Sequence, residues 1–221
     1  MNRLLICTFS FVMLFVCCRT DSMADVEWNI DNLQSIGGNK TTVAGSPKVI
    51  ETKSGKAVEF DGLKDGLIVE ALPLAGAEKF TLEVIFRPDA NGLDAQRVLH
   101  LQENDTKHRI MIILETLPPF HKQWYLDTFI KSAKGGQSLY KPENIFPAGQ
   151  WYSAALVYDG QQMRNYINGV MQTSGKLEFS PLGKGSTSIG VKMNQTSWFK
   201  GAVRKIRFAD RVLEPKEFLK P

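Results

Sequence analysis

Two dipeptides do most to constrain this chain. Asp159-Gly160 and Asn168-Gly169 each stand between short runs of alternating apolar and polar residues. Asp-Gly and Asn-Gly tolerate the positive φ of a tight hairpin, so residues 151–173 read as a three-stranded meander. The same pattern continues along the chain. Strand-like runs at 80–87, 97–102, 109–115, 123–131, 151–158, 162–167, 187–191 and 201–208 are separated by Gly, Asp, Asn or Pro. In the first of these, Phe80, Leu82, Val84 and Phe86 alternate with Thr81, Glu83, Ile85 and Arg87, and Pro88-Asp89 stops it. No amphipathic helices separate the runs, which excludes a doubly wound α/β fold. The expectation is all-β: a two-sheet antiparallel β-sandwich with one short C-terminal helix at 214–219, where Pro215 suits the first turn.

The N-terminus reads differently. Arg3 precedes an apolar run at 4–18, shorter than the roughly 20 residues a membrane-spanning helix needs. Arg19, Thr20, Asp21 and Ser22 break it, and Ser22-Met23-Ala24 offers small residues at a cleavage site. The expectation is a secretory signal peptide removed after Ala24, leaving 25–221 as a single domain with no transmembrane span. The rivals are a lipoprotein signal, in which Cys17 or Cys18 takes the lipid, and an uncleaved anchor. The destination is outside the cell, the periplasm or the cell envelope. Cys7, Cys17 and Cys18 are the chain's three cysteines. All fall in this leader, so the exported domain has no disulfide, no cysteine-ligated zinc and no thiol nucleophile. Lys plus Arg number 27 against 23 Asp plus Glu, a near-balance at a net charge of +4. That argues against a dedicated nucleic-acid binder.

Several motifs then point one way. Gly55-Lys56-Ala57-Val58-Glu59-Phe60-Asp61-Gly62 resembles the opening strand of laminin-G-like domains, members of the concanavalin A-like lectin/glucanase superfamily. The stretch from Phe80 to Pro88 is similar to that family's next signature strand. Trp151-Tyr152-Ser153-Ala154-Ala155-Leu156-Val157-Tyr158-Asp159-Gly160 resembles its Trp-Tyr hairpin, and Arg164-Asn165-Tyr166-Ile167-Asn168-Gly169 the return strand. Phe199-Lys200-Gly201-Ala202-Val203, Arg207-Phe208 and the Leu213 to Phe218 segment resemble its close. The matches run in order from about residue 55 to 218. The resemblance implies a jelly roll with one concave face, shared by lectins, carbohydrate-binding modules, adhesion modules and glycan-cleaving enzymes. Fold alone does not choose among these. Some members bind calcium through Asp side chains. Asp61 and Asp65 sit at matching turns, but Asp beside Gly is also plain turn chemistry, so a calcium cofactor stays open.

Glycoside cleavage needs two carboxylates across the scissile bond. The Glu-x-Asp-x-x-Glu strand of laminarinase-like enzymes is approached only by Glu59-Phe60-Asp61-Gly62-Leu63-Lys64, where Lys64 replaces the final acid. That mechanism is not expected. His108 and His121 read as exposed loop histidines.

Alternation along strands assigns faces. With Leu99 and Leu101 inward, Gln96, His100 and Gln102 point the other way. With Ile110, Ile112 and Leu114 inward, Arg109, Met111, Ile113 and Glu115 oppose them. With Trp124, Leu126 and Ile130 inward, Tyr125, Asp127, Phe129 and Lys131 oppose them. If the three runs are neighbours, one face gathers His100, Gln102, Arg109, Glu115, Tyr125 and Asp127. Polar groups beside an aromatic ring suit a sugar, whose hydroxyls pair with the polar groups while its C–H face stacks. A solvated sheet face with cross-strand charge pairs is the plainer alternative. Trp198 is a rim aromatic or a core cap, and Trp28 and Trp151 read as packing residues. The sequence therefore points to a non-catalytic, lectin-like module with an oligo- or polysaccharide partner. The alternatives are a hydrolase or lyase using His100, Glu115 and Asp127, and a protein-binding adhesion module.

Overall fold

The computed structural model describes residues 25–221, so the leader reading lies outside the described residues. In chain order the first strands are β1 (Val26–Asn29), β2 (Ser35–Ile36), β3 (Asn39–Ala44), β4 (Lys48–Thr52), β5 (Gly55–Asp61) and β6 (Gly66–Val69). Then come β7 (Phe80–Pro88), β8 (Ala95–Glu103), β9 (Arg109–Thr116), β10 (Gln123–Ser132), β11 (Gly135–Tyr140) and β12 (Phe146–Pro147). The chain closes with β13 (Tyr152–Tyr158), β14 (Gln162–Ile167), β15 (Val170–Lys176), β16 (Gly185–Ile189) and β17 (Lys200–Ala209). The expected C-terminal helix shrinks to one 3-10 turn, Pro215–Glu217, which the Glu214 N–H caps by donating to Glu217 Oε2 at 2.9 Å.

Two antiparallel sheets result. The eight-stranded sheet runs β15-β14-β13-β7-β17-β5-β4, with β1 added beside β17. The nine-stranded sheet runs β11-β10-β9-β8-β16-β6-β3-β2, with β12 beside β10. Every strand pairing is antiparallel, as all-β sandwiches built from hairpins and longer crossovers require.

The core lies between the sheets because each strand sends alternate apolar residues inward. Leu82, Val84 and Phe86 from β7 meet Ile110, Ile112 and Leu114 from β9 in one buried cluster. Phe86 and Trp124 join the two sheets edge-to-face at 5.4 Å. Trp28 is buried, as its sequence reading holds, and so is Phe199. Trp151 is not: it is half-buried, with the guanidinium carbons of Arg87 and Arg204 lying 5.8 and 5.3 Å from its ring centre.

The two written turns differ in kind. At Asn168-Gly169 both residues take positive φ, 50° and 80°, the signature of a two-residue hairpin. At Asp159-Gly160 only Gly160 does, at 101°. There the Asp159 carboxylate closes the turn by accepting the N–H groups of Gln161 and Gln162 at 2.9 and 2.8 Å.

Candidate functional site

The candidate site lies on the outward face of the nine-stranded sheet, and pair register sets its rows. Asp127 of β10 stands opposite Ile113 of β9, which stands opposite Arg97 of β8. One row along, Phe129 opposes Met111, Met111 opposes His100, and His100 opposes Ser188 of β16. The next row holds Lys131, Arg109, Gln102 and Ser186. On the other side Tyr125 faces Glu115. The six residues gathered by alternation thus share one face: His100, Gln102, Arg109, Glu115, Tyr125 and Asp127.

Gln96 does not join them. Strand β8 carries a bulge between Arg97 and Leu99. Val98 and Leu99 are both fully buried, so two successive side chains enter the core. Parity flips there. Gln96 turns inward, fully buried, where its Oε1 accepts the Lys200 N–H at 2.7 Å and its Nε2 donates to the Leu93 carbonyl at 2.9 Å. Arg97 turns outward in its place. Strict alternation hid Arg97 because a bulge between two apolar residues leaves no mark on a period of two.

His100 is 1% exposed. Its Nδ1 accepts the Met193 backbone N–H at 3.0 Å, which puts the ring proton on Nε2. Burial, then the charges of Arg109, Lys192 and Arg97, push its pKa down to about 3, so the ring is neutral at pH 7. Met193 and Lys192 belong to the 190–199 loop, a chain reversal that no strand pattern announces. The loop is tied to β8 again where the Arg97 N–H donates to the Ser197 carbonyl at 3.0 Å.

Asp127 shows the opposite shift. Burial, reinforced by Glu115, pushes its carboxyl up to about 7 against the pull of Arg97. Glu115 is raised by burial too, with Arg97 opposing and Asp94 adding to the rise. Arg97, Arg109 and Lys192 are all lowered, burial first. The face therefore has an acidic end at Glu115 and Asp127 and a basic end at Arg109 and Lys192, with Arg97 between them.

Four of these side chains hold buried polar atoms without a hydrogen-bond partner: Arg97 Nε and Nη1, His100 Nε2, Arg109 Nε and Asp127 Oδ1. Buried polar groups in folded proteins are almost always paired, and here no protein atom satisfies these five on one face. Beside the acidic end, Tyr125 and Tyr140 place their rings 6.4 Å apart. Tyr140 is 54% exposed on β11 opposite Asp127.

Other expectations fall elsewhere. Trp198 is half-buried over Gly66, where an added Cβ would lie 3.4 Å from its Cζ3. That places it toward β6, away from Tyr125. His108 and His121 are not free loop groups: His108 Nδ1 lies 2.8 Å from Glu103 Oε2, and His121 Nδ1 lies 2.7 Å from Thr116 Oγ1. Asp61 and Asp65 spend their oxygens on turns. Asp61 Oδ1 accepts the N–H groups of Leu63, Lys64 and Asp65, and Asp65 accepts those of Ser46 and Asp61. Among the described residues, no three His, Cys, Asp or Glu side chains are grouped to hold a metal ion.

A laminin G family model, described as concanavalin A-like lectin/glucanases superfamily, matches residues 60–218. The chain belongs to this family. Solved structures share the fold of this chain. Domain 4 of AbnA, an extracellular GH43 arabinanase from Geobacillus stearothermophilus solved with arabinotriose, aligns with a TM-score of 0.66 at 21% identity. That alignment covers 87% of this chain and 94% of the other. The binding domain of botulinum neurotoxin serotype G aligns with a TM-score of 0.63 at 12% identity, over 87% of this chain and 49% of that one. The binding domain of botulinum neurotoxin DC, in complex with SialylT, aligns at 0.61 and 12% identity over the same shares. This laminin G-like chain thus spans about half of each toxin chain. No curated protein matches the sequence. No helix among the described residues is long and apolar enough to cross a membrane.

Proposed function

We propose that this laminin G-like protein is a secreted, non-catalytic carbohydrate-binding module that takes its glycan on the outward face of the nine-stranded sheet. The observation that carries the reading is the set of unpartnered buried polar atoms on Arg97, His100, Arg109 and Asp127. Polar groups held rigidly on adjacent strands, beside the Tyr125 and Tyr140 rings, supply what a sugar needs: directed hydrogen bonds and an aromatic surface. Two structural neighbours, the arabinanase domain with arabinotriose and the toxin domain with SialylT, support a saccharide as the ligand class. Export rests on the leader at 1–24, and N-terminal sequencing of the exported protein would show Asp25 first.

The test is a glycan array, with and without calcium, that reads intact and cleaved polysaccharide together. The expected result is binding without cleavage, lost in Asp127→Ala and Tyr125→Ala proteins whose circular dichroism is unchanged. Silence across a broad array would overturn the reading and favour a protein-binding adhesion module.

One observation favours an enzyme as the second reading. Glu115 and Asp127 are diagonal cross-strand neighbours, a placement that sets residues about 7–8 Å apart. Two neighbouring carboxyls on one face are what glycoside cleavage requires, and burial and Glu115 push the Asp127 carboxyl up to about 7, which suits a general acid. Cleavage in the array abolished equally by Asp127→Asn and Glu115→Gln would establish it.

A further inference from the structure

We propose that the glycan is anionic, and that its carboxylate or sulfate ester seats between His100, Arg109 and Lys192. This rests on the carbohydrate reading above and names the chemistry of its ligand.

The pocket at the basic end has a volume of about 320 Å³ and is lined by His100, Gln102, Lys107, Arg109, Lys192 and Asn194. Three of these six carry positive charge and none carries negative charge. The nearest carboxylate along β8 is Glu103, and it is already taken. Its Oε2 lies 2.8 Å from His108 Nδ1 and accepts the Thr106 hydroxyl at 2.8 Å, while its Oε1 accepts the Gly183 N–H at 2.8 Å.

Hydrogen-bond polarity narrows the ligand further than charge does. His100 presents Nε2–H, because Met193 fixes the tautomer from the other side of the ring. That donor is buried and unpartnered. Arg109 lays its guanidinium over Phe129, 4.8 Å from the ring centre, and commits Nη1 to the Lys107 carbonyl at 2.7 Å. Its Nε–H is left over. Arg97 adds unpartnered Nε–H and Nη1–H groups on the same face. The unpartnered groups here are thus donors, with Asp127 Oδ1 the one acceptor among them. A sugar hydroxyl brings a donor with every acceptor. A carboxylate or sulfate brings acceptors only, and bonds from charged donors to such oxygens are about twice as strong as neutral ones. Burial and mutual repulsion also lower Lys192 and destabilise its charge, a cost that a bound anion would relieve.

The test is calorimetric titration at pH 7 with three size-matched oligosaccharide sets: neutral, uronate-containing and sulfate-esterified. The expected result is binding of one anionic set at least tenfold tighter than the neutral set, and which set wins identifies the anion. Arg109→Gln and Lys192→Gln should each weaken the anionic ligand at least tenfold and narrow its advantage over the neutral set. Their thermal midpoints report folding. Diffuse attraction to the chain's net positive charge would survive a single Lys192→Gln change, and that outcome overturns the proposal. Equal or tighter binding of neutral sugars overturns it too while leaving the carbohydrate reading intact. Failure of all three sets to bind overturns both.

Discussion

His100 and Asp127 share one sheet face, yet they depart from their ordinary titration in opposite directions. Burial beside three cations pushes His100 from 6.5 down to about 3. Burial beside Glu115 pushes Asp127 from 3.8 up to about 7. The linkage signs follow. Below pH 6.5 the unfolded chain protonates His100 and the folded chain does not, so the contribution of His100 is complete above 6.5 and is lost as pH falls toward 3. Above pH 3.8 the unfolded chain releases the Asp127 proton and the folded chain keeps it, so the contribution of Asp127 is complete below 3.8 and is lost as pH rises through 7. Between about pH 4 and 6.5 the two oppose each other, one proton against one, at up to about 1.4 kcal/mol per pH unit each. Asp127→Asn removes one side of the balance. Relative to the unmodified protein, stability of that variant should climb with pH by about 1 kcal/mol per unit between pH 4.5 and 6.5, measured by urea unfolding. Parallel pH profiles for the two proteins would show that Asp127 titrates normally. Both residues are legible in the sequence as outward polar positions. Their protonation is not, because it depends first on how deeply each is buried and then on charges that include Arg97 and Lys192, which come from a bulge and a loop.

At the scale of strands, legibility followed burial. Strands β7, β13 and β14 lie inside the eight-stranded sheet and write apolar residues at a period of two or nearly without break. Strands β3, β4 and β11 are Asn-Lys-Thr-Thr-Val-Ala, Lys-Val-Ile-Glu-Thr and Gly-Gly-Gln-Ser-Leu-Tyr. They lie at or beside sheet ends and are mostly exposed, so little apolar burial is present to impose a pattern. The bulge in β8 was invisible for a related reason, since Val98-Leu99 reads as ordinary strand. Its consequence can be tested with adjacent substitutions. Gln96→Leu strands the Lys200 N–H, while the Leu93 carbonyl keeps the Thr116 hydroxyl, and should cost roughly 1–3 kcal/mol of stability while leaving ligand affinity unchanged. Arg97→Leu should do the reverse, removing affinity without that loss of stability. Denaturant unfolding and ligand titration on both variants check the pair. The opposite assignment would mean that alternation runs through β8 uninterrupted.

For the molecule as a whole, the two outward faces are treated differently. The eight-stranded sheet is partly covered by the chain's own C-terminal segment: Leu213 and Phe218 pack on Ala155, Val157, Tyr166 and Ala209. The cover is pinned by Glu83, fully buried, whose Oε1 accepts the Leu219 N–H at 2.7 Å while Arg207 Nε donates to its Oε2 at 2.6 Å. Arg207 then reaches the Glu217 carbonyl at 2.7 Å. Both Glu83 oxygens and the Arg207 Nε–H and Nη2–H groups are paired there. The nine-stranded face gathers unmet donors on Arg97, His100 and Arg109, which a folded protein keeps at a cost in stability. Stability and recognition should therefore separate by face. Glu83→Ala leaves Arg207 buried beside an empty space and should cost about 3–5 kcal/mol. In the fraction that remains folded, ligand affinity should be unchanged. Arg97→Met replaces an unpartnered, partly buried guanidinium with an apolar chain of similar reach. It should raise the thermal midpoint in the absence of ligand and abolish the further rise that ligand gives the unmodified protein. Scanning calorimetry of the three proteins with and without glycan reads both effects. A fall in the unliganded midpoint of Arg97→Met would mean that Arg97 serves the fold, and the site would then have to be drawn around His100 and Arg109 alone.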